Sequence, residues 1–478
     1  MNFVLKLIEN NLKILRNISF SFCLFILSYV IYKAEFHYVG QNNDYYLKYY
    51  IFSFIIFILS FLVYFLRKKI QVYSFLFIIL FVSFCYLVET LNTAAVFFDK
   101  FYELNIQKEY AKKNGLIYDK RSKFKFYRDL KKNYSNTALA IDPYHFLKED
   151  NQKILPLSGI SKSKTVHCNE NGYYSVYDSD RYGFNNPDSE WDKDKVEAVI
   201  VGDRFVQGDC VNENDTISGN LRKNFKSINK AGVLNFGQGG NGPLMEYASL
   251  KEYLPLTSAK RVIWVYAEGN DLYGRFGTEG LNTELSNKIL LKYLNNNNFT
   301  QNLNLKQKEV DKKSLNKLNQ LNEYEIKVTT QNKLFKFIKL NNFRRLLKEL
   351  YKGNYSNLRK RDIQKISPEF KKIINLSIKF TEEQNSKFYF VYIPERSRYF
   401  NNNFDENFHD YKKVIEYISS LNIAIINIHS ELLQKHKDPL SLFPMKESKR
   451  NYHFNEMGYR SVSKVIFEKI IETEKNLF

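Results

Sequence analysis

Residues 196–208, which read Val-Glu-Ala-Val-Ile-Val-Gly-Asp-Arg-Phe-Val-Gln-Gly, decide the fold. A largely apolar, β-branched run ends at Val201, and a glycine and two charged side chains follow at once. Such a run, without regular polar alternation, is typical of a strand buried on both faces of a parallel sheet. Functional side chains of open α/β folds gather at the carboxyl ends of such strands. The turn from Gly202 to Gly208 is therefore the first place to look for a site.

Four more runs of this kind follow along the chain: 232–236 (GVLNF), 261–267 (RVIWVYA), 387–393 (KFYFVYI) and 423–428 (IAIINI). Helical patterns separate them. The clearest is 368–384, where Ser367 can cap and Pro368 can take the first helical position. A last helix is predicted over 458–474. Alternating strands and helices predict a doubly wound α/β sheet. Residues of about 274–365, rich in Asn, Lys and Leu, indicate an inserted helical subdomain within it.

The first 96 residues carry three apolar runs, at roughly 18–32, 50–66 and 72–87. Each can be extended to the roughly 20 residues of a membrane-spanning helix. Basic residues precede the first run and fill the loop Arg67–Lys69 between the second and third. The positive-inside rule then predicts a cytoplasmic N-terminus and an extracytoplasmic C-terminal region. Residues 97–155 are expected to form a polar juxtamembrane connector without chemistry of its own.

Composition and cysteine positions agree with this topology. The 478 residues carry a formal charge of +20, which outside the cytoplasm favours acidic polysaccharide or lipid partners over nucleic acid. Cys168 and Cys210 are the cysteines of the outer region, and they are candidates for one disulfide or for two buried thiols. No CxxC or HExxH spacing occurs, so no metal site and no cofactor are predicted.

Four blocks stand at or near predicted strand ends: Gly202-Asp-Arg204, the glycine-rich turn 235–243, Glu268-Gly-Asn-Asp271, and His453 before the last helix. In this order they resemble the SGNH (GDSL-like) hydrolase superfamily, in a membrane-anchored bacterial branch. The resemblance covers roughly residues 155–475. It implies a flavodoxin-like parallel sheet and an esterase or O-acyltransferase acting on a cell-surface glycan or lipid. It also implies the bacterial inner membrane, with the C-terminal domain in the periplasm.

The resemblance assigns roles residue by residue. Gly240 matches the glycine whose backbone N–H donates to the oxyanion, and Asn270 matches the side-chain amide donor. His453 matches the general base. Two positions depart from the pattern: Arg204 stands where the family has its serine nucleophile, and Asn451 stands where it has the aspartate that orients the histidine. The other histidines of the outer region, His145, His167, His409, His429 and His436, are interpreted as core or surface residues.

Arg204 leaves three hypotheses open. A guanidinium supplies no nucleophile at neutral pH, so an SGNH hydrolase with this residue is expected to be catalytically impaired. Alternatively, Arg204, the Gly240 N–H and the Asn270 amide bind an anion such as an acidic glycan. The third hypothesis is a membrane-anchored assembly component that uses the insertion as its interaction surface. The predicted organisation is 1–96 anchor, 97–155 connector and 156–478 SGNH-like domain.

Overall fold

The computed structural model describes residues 2–37, 43–149, 152–272, 280–330, 333–356, 366–400, 410–448, 450 and 452–475. The chain divides into two compact units. One comprises Met1–Asp99 with Asn332–Lys352, and the other comprises Lys100–Gln331 with Gly353–Phe478.

The N-terminal part of the first unit is helical. Its helices are α1 (Asn2–Asn10), α2 (Leu12–Ile31), α3 (Asn43–Leu62) and α4 (Lys68–Lys113), the last of which continues into the second unit. Among the described residues, three helical stretches are long and apolar enough to cross a membrane: Leu12–Phe36, Tyr46–Phe65 and Lys68–Lys113. Many of their aromatic side chains are exposed, among them Phe25 and Phe77 at 66% and 68%. Water disfavours such an apolar surface, whereas lipid tails accept it.

The second unit is an α/β fold with two sheets. Strands β1 (Thr137–Leu139), β2 (Lys164–Val166) and β3 (Val176–Asp178) form a small mixed sheet. The main sheet contains β4 (Ala198–Val201), β5 (Val233–Asn235), β6 (Arg261–Ala267), β7 (Lys387–Ile393) and β8 (Ala424–Asn427). All its pairings are parallel, and the order is β5-β4-β6-β7-β8. This is the flavodoxin-like order, and the predicted fold class and its five strands are confirmed.

Helices complete both units. They are α5 (Lys123–Lys131), α6 (Arg204–Gln207), α7 (Ile217–Lys226), α8 (Pro243–Tyr253), α9 (Leu281–Glu284), α10 (Lys288–Asn295), α11 (Gln307–Thr330), α12 (Lys333–Ile338), α13 (Asn341–Ser356), α14 (Pro368–Glu383), α15 (Ser397–Phe400), α16 (Tyr411–Ser419) and α17 (Glu456–Lys475). Ser367 caps α14 as its sequence predicts, since its hydroxyl accepts from the Phe370 N–H at 3.1 Å.

The main sheet is buried on both faces, which explains its continuous apolar strands. Side chains of β6 alternate between two cores: Val262, Trp264 and Tyr266 join one, and Ile263, Val265 and Ala267 join the other. Helices α8 and α14 contribute to the first core, and α7 and α17 contribute to the second. Because successive side chains of a strand point to opposite faces, a strand covered on both sides must be apolar throughout.

The helical insertion lies between β6 and β7 and contains α9–α13. Its predicted limits, 274 and 365, fall outside the described residues. Residues 332–352 of this segment cluster with the N-terminal helices, a division that the sequence pattern did not indicate.

The expected connector is an ordered part of the second unit from Lys100 onward. It supplies α5 and β1, and β1 pairs with β2 in parallel register. The amine of Lys123 donates to the carbonyl of Ala140 at 3.1 Å. The segment therefore contributes folded structure, and one of its carboxylates reaches the candidate site.

Candidate functional site

The four blocks converge because of the strand order. Strands β5, β4 and β6 are neighbours and parallel, so their carboxyl ends lie at one edge of the sheet. A small cavity of about 20 Å³ lies there, with room for about one water molecule. Its lining includes Asp203, Arg204, Asn270, Arg396 and His453.

Arg204 is the first residue of α6 and is held by carboxylates. Asp203 caps this short helix, accepting from the Phe205 N–H at 2.9 Å. The Arg204 guanidinium donates to Asp142 Oδ2 at 3.0 Å, and its Nε lies 4.0 Å from Asp209 Oδ2. The side chains of Arg204 and Asp142 are 25% and 19% exposed. The cation at the nucleophile position is therefore paired within the chain.

Asp142 also reaches the glycine-rich turn after β5. A Cβ added to Gly239 would lie 2.5 Å from Asp142 Oδ1, so only a glycine lets this carboxylate approach the turn so closely. The next residue, Gly240, has a φ of +75°, which favours glycine for conformational reasons. A carboxylate thus lies beside the turn in which the resemblance expects an oxyanion donor.

Asn270 at the end of β6 makes an internal contact. Its side-chain amide donates to Asp203 Oδ2 at 2.9 Å, and the residue is 6% exposed. The expected amide donor is therefore directed at a carboxylate of the chain itself.

His453 lies against the same region and has two acidic neighbours. Its Nδ1 is 3.1 Å from Glu170 Oε1 and 3.6 Å from Asp209 Oδ2, and its backbone N–H donates to Glu170 Oε2 at 2.8 Å. Phe205 packs edge-on against the ring. Glu170 thus holds the imidazole at its Nδ1 side. The predicted orienting residue, Asn451, lies outside the described residues.

Opposing effects act on the His453 imidazole. Burial alone would lower its pKa, but the charges of Glu170 and Asp209 outweigh burial and raise the pKa above 6.5. The Arg204 charge opposes them more weakly. The imidazole therefore favours its protonated form more than an isolated histidine does.

Asp209 connects the site to His167. Its Oδ1 lies 2.9 Å from His167 Nε2, which sequence reasoning assigned to the core or surface. Burial would raise the pKa of Asp209, but His167, His453 and Arg204 together lower it well below the ordinary value. Asp209 thus remains an anion between two imidazoles.

Cys168 and Cys210 form a disulfide in the structure. It joins the segment of His167 and Glu170 to the segment of Asp209. Within the described residues, the one cluster with metal-ligand geometry is His167, Cys168 and Asp209. Because the Cys168 sulfur is bonded to Cys210, two donors remain, which is too few for a structural metal site.

Arg396 organises the loop that precedes His453. Its guanidinium donates to the carbonyls of Met445, Lys446, Ser448 and Arg450. Burial lowers the pKa of Arg396 to about 10, although nearby acidic groups oppose the shift. A buried cation that satisfies several carbonyls fixes this loop, and with it the position of His453.

The expected outcome of Glu170→Gln is a lower pKa of His453. Removing the carboxylate removes an interaction that stabilises the imidazolium. Histidine ring signals, followed by NMR during a pH titration of the full chain in detergent, measure the shift, and His453→Gln assigns the signal. Glu382→Gln, an exposed carboxylate on α14, is the matched control. An unchanged His453 pKa in Glu170→Gln would contradict the geometry.

The interaction of His453 with Glu170 and Asp209 also makes the free energy of unfolding depend on pH. A histidine whose folded-state pKa is raised stabilises the fold fully below its unfolded pKa of about 6.5. The contribution is lost as the pH rises through the folded-state value.

A second buried group with a shifted pKa is Glu284, which lies next to the glycine-rich turn. Its carboxylate accepts from the N–H groups of Gly242 and Leu244 at 2.6 and 2.9 Å, at the start of α8. Burial raises the pKa of Glu284 from 4.5 to about 7, against the effect of these donors. The group therefore stabilises the fold below pH 4.5, and this contribution is lost as the pH rises to about 7.

The expected effect of Glu284→Gln is a changed pH dependence of the free energy of unfolding. Relative to the native chain, the variant gains about 3 kcal/mol between pH 4.5 and pH 7.5, because the native carboxyl must ionise while buried. Denaturant titrations followed by tryptophan fluorescence measure this, since Trp191 and Trp264 both lie in the α/β unit. A difference in unfolding free energy that is the same at both pH values would contradict the prediction.

Comparison with known proteins leaves the family open. No family model matches the chain, and no curated protein matches it by sequence. A solved structure from Desulfitobacterium hafniense DCB-2, a protein placed in the G-D-S-L family, matches with 12% identity and a TM-score of 0.30. It covers 58% of this chain and 99% of its own. At this TM-score the likeness carries no argument about the site.

Proposed function

We propose that the chain is a membrane-anchored, extracytoplasmic SGNH-like protein of the esterase or O-acyltransferase type whose site no longer performs covalent catalysis. The observation that carries the proposal is the ion pair between Arg204 and Asp142 at the end of β4. Acyl transfer of this type needs a hydroxyl nucleophile beside a base. A paired guanidinium at that position supplies no nucleophile.

The surrounding groups support the same conclusion. Asp142 brings a negative charge to the glycine-rich turn, where a developing oxyanion would be repelled. With Arg204 in place, the cavity of about 20 Å³ has room for about one water molecule.

The position of His453 is the feature that still suits a hydrolase site. His453 has a carboxylate partner on Nδ1 and lines the cavity together with Arg204. An imidazole held in this way has the geometry of a general base. The site therefore fits a hydrolase ancestry in which the nucleophile has been replaced.

The location proposed for the α/β unit rests on the apolar N-terminal helices, on their basic flanks and on a disulfide. Three helical stretches are long and apolar enough to span a membrane, and basic residues flank the first and fill the loop after the second. The disulfide between Cys168 and Cys210 suits an oxidising compartment such as the periplasm.

A fluorophosphonate probe, which phosphonylates activated serine nucleophiles, tests the proposal on the native full chain in detergent. We expect no labelled serine in the α/β unit, while a serine esterase in the same tube is labelled. Peptide mass spectrometry locates any adduct. A native serine that is labelled and loses the label in His453→Ala would contradict the proposal.

A second candidate function is the binding of an anionic glycan, and a second cavity favours it. This cavity of about 280 Å³ opens beside the segment of Glu170. Its lining combines the cations Lys100, Lys120, Arg121 and Arg450 with the rings of Tyr118 and Tyr174 and with two carboxylates, Glu103 and Asp119. Asp119 pairs with Arg121, and Glu103 lies 3.7 Å from Arg450, so Lys100 and Lys120 are the cations tested below. Cations with aromatic faces suit a sugar that carries carboxylates. Arg204 lines the other cavity, which holds about 20 Å³, and is therefore a weaker candidate for the same role.

Oligogalacturonate binding, compared with neutral maltohexaose, tests this second function. We expect Lys100→Gln/Lys120→Gln to weaken oligogalacturonate binding roughly tenfold, whereas Arg204→Ala leaves it unchanged. Lys308→Gln/Lys312→Gln changes two exposed lysines of α11 and serves as the matched control. Equal binding of both sugars by the native chain would argue against the idea.

A further inference from the structure

Helices α12 and α13 of the insertion contact the third apolar helix. The hydroxyl of Tyr86 on α4 donates to the carbonyl of Ile338 at 3.0 Å, and its ring lies 5.7 Å from that of Phe337. Both segments belong to the first compact unit. A part of the chain more than two hundred residues away thus packs against a predicted membrane span.

Glu89 fixes the start of α13. This carboxylate is 1% exposed and accepts from the N–H groups of Asn342 and Phe343 at 3.2 and 2.6 Å. The Asn342 amide also donates to the Thr93 hydroxyl at 2.9 Å. A carboxylate at a helix N-terminus satisfies donors that the helix cannot, and it interacts favourably with the helix dipole. The contact lies just beyond the apolar run of residues 72–87, where a span would reach the headgroups.

Helix α13 is amphipathic. Phe343, Leu346, Leu347 and Leu350 recur at the spacing of one helical face, and Arg344, Arg345 and Lys348 occupy the opposite face. Part of the apolar face is uncovered: Phe343 and Leu346 are half-buried, but Leu347 and Leu350 are 49% and 68% exposed. On α12, Phe335 and Ile338 are likewise 60% and 51% exposed. Four large apolar side chains on two adjoining helices form an apolar surface that needs a partner.

We propose that α12 and α13 lie in the membrane interface, with their apolar face in the acyl-chain boundary and the basic face of α13 among anionic lipid headgroups. The inference rests on the proposed membrane anchoring of α2–α4 and extends it to a segment that follows β6. Two observations select a lipid surface as the occupant. The helices pack beside a predicted span, and their exposed apolar side chains are accompanied by Arg and Lys, as in interfacial helices.

Fluorescence quenching by brominated acyl chains tests the proposal on the full chain reconstituted in phosphatidylcholine–phosphatidylglycerol vesicles. Leu350→Trp places an indole on the apolar face, and Arg344→Trp places one on the opposite face as the matched control. Phe52→Trp, at an exposed position of α3, reports on the anchor itself. The quenching of the native chain, from Trp191 and Trp264, is subtracted.

We expect quenching of Leu350→Trp to approach that of Phe52→Trp and to exceed that of Arg344→Trp at least about twofold. Strong quenching at Phe52 with equal, weak quenching at positions 350 and 344 would overturn the interfacial helix and leave the anchor intact. Weak quenching at Phe52 would overturn both. If omitting phosphatidylglycerol leaves the Leu350→Trp signal unchanged, the headgroup part of the proposal is wrong.

Discussion

Replacing Arg398 by Met is expected to destabilise the α/β unit by about 4 kcal/mol, because it leaves Glu268 buried without its cation. Both side chains are fully buried, and Arg398 donates to the carboxylate through Nε at 3.2 Å and through a second nitrogen. The Tyr392 hydroxyl and the Glu395 N–H donate to the same carboxylate at 2.7 and 2.8 Å. These neutral donors cannot offset the loss of the ionic partner.

Denaturant unfolding followed by tryptophan fluorescence measures this effect, and two variants control it. In Glu268→Gln/Arg398→Met neither member of this buried pair is charged, so we expect most of the lost stability to return. Arg460→Met changes an exposed arginine on α17 and should alter the free energy of unfolding by less than about 0.5 kcal/mol. If the single variant Arg398→Met were as stable as the double variant, the unpaired Glu268 carboxylate would not be the cause of the lost stability.

The main sheet could be predicted because its strands are buried on both faces. An apolar run such as 261–267 identifies a strand without knowledge of its neighbours, and the observed β6 has these same bounds. The shorter strands begin or end one or two residues inside the predicted runs. Val196, for example, starts a predicted run but forms only an isolated bridge to Ala259. Main-chain hydrogen bonding between strands sets these strand ends. The pattern of apolar residues does not show that bonding.

The candidate site could be predicted where its residues follow strands and at His453, which the resemblance identifies. Arg204 and Asn270 stand at the ends of neighbouring strands, so topology alone brings them together. Glu170, Asp209 and Asp142 were missed because their roles depend on contacts across long sequence separations, such as the 283 residues between Glu170 and His453. One signal could have found two of them. The disulfide candidates Cys168 and Cys210 lie within two residues of Glu170 and Asp209.

The organisation of the insertion could not be predicted from local pattern. Sequence periodicity indicates that α13 is amphipathic but not which surface its apolar face meets. The decisive contact is that of Glu89, a charge just after an apolar run, with the first N–H groups of α13. Nothing near Glu89 in the sequence identifies a partner some 250 residues away.

The second large effect is expected for the nucleophile position. Arg204→Ser supplies a hydroxyl beside His453 but leaves Asp142 without its cation, next to the glycine-rich turn. We therefore expect little gain from the single variant. Arg204→Ser/Asp142→Asn also removes the negative charge that would repel an oxyanion. Hydrolysis of short-chain nitrophenyl esters should then rise at least about 100-fold over the native chain, a typical contribution of general-base catalysis.

Two further variants establish that the gain comes from this site. Adding His453→Ala to the double variant should return the rate to the native level, because the serine loses its base. Arg204→Ala/Asp142→Asn matches the double variant in charge but lacks the hydroxyl, and it should remain inert.

In the proposed function, Arg204, paired with Asp142, silences a site that still holds His453. This proposal is tested most directly by the initial rate of nitrophenyl acetate hydrolysis by the full chain in detergent, for the native protein and for Arg204→Ser/Asp142→Asn. We expect no turnover above background for the native chain and His453-dependent turnover for the double variant. Turnover by the native chain that is lost in His453→Ala would contradict the proposal, as would a double variant that stays inert although it folds.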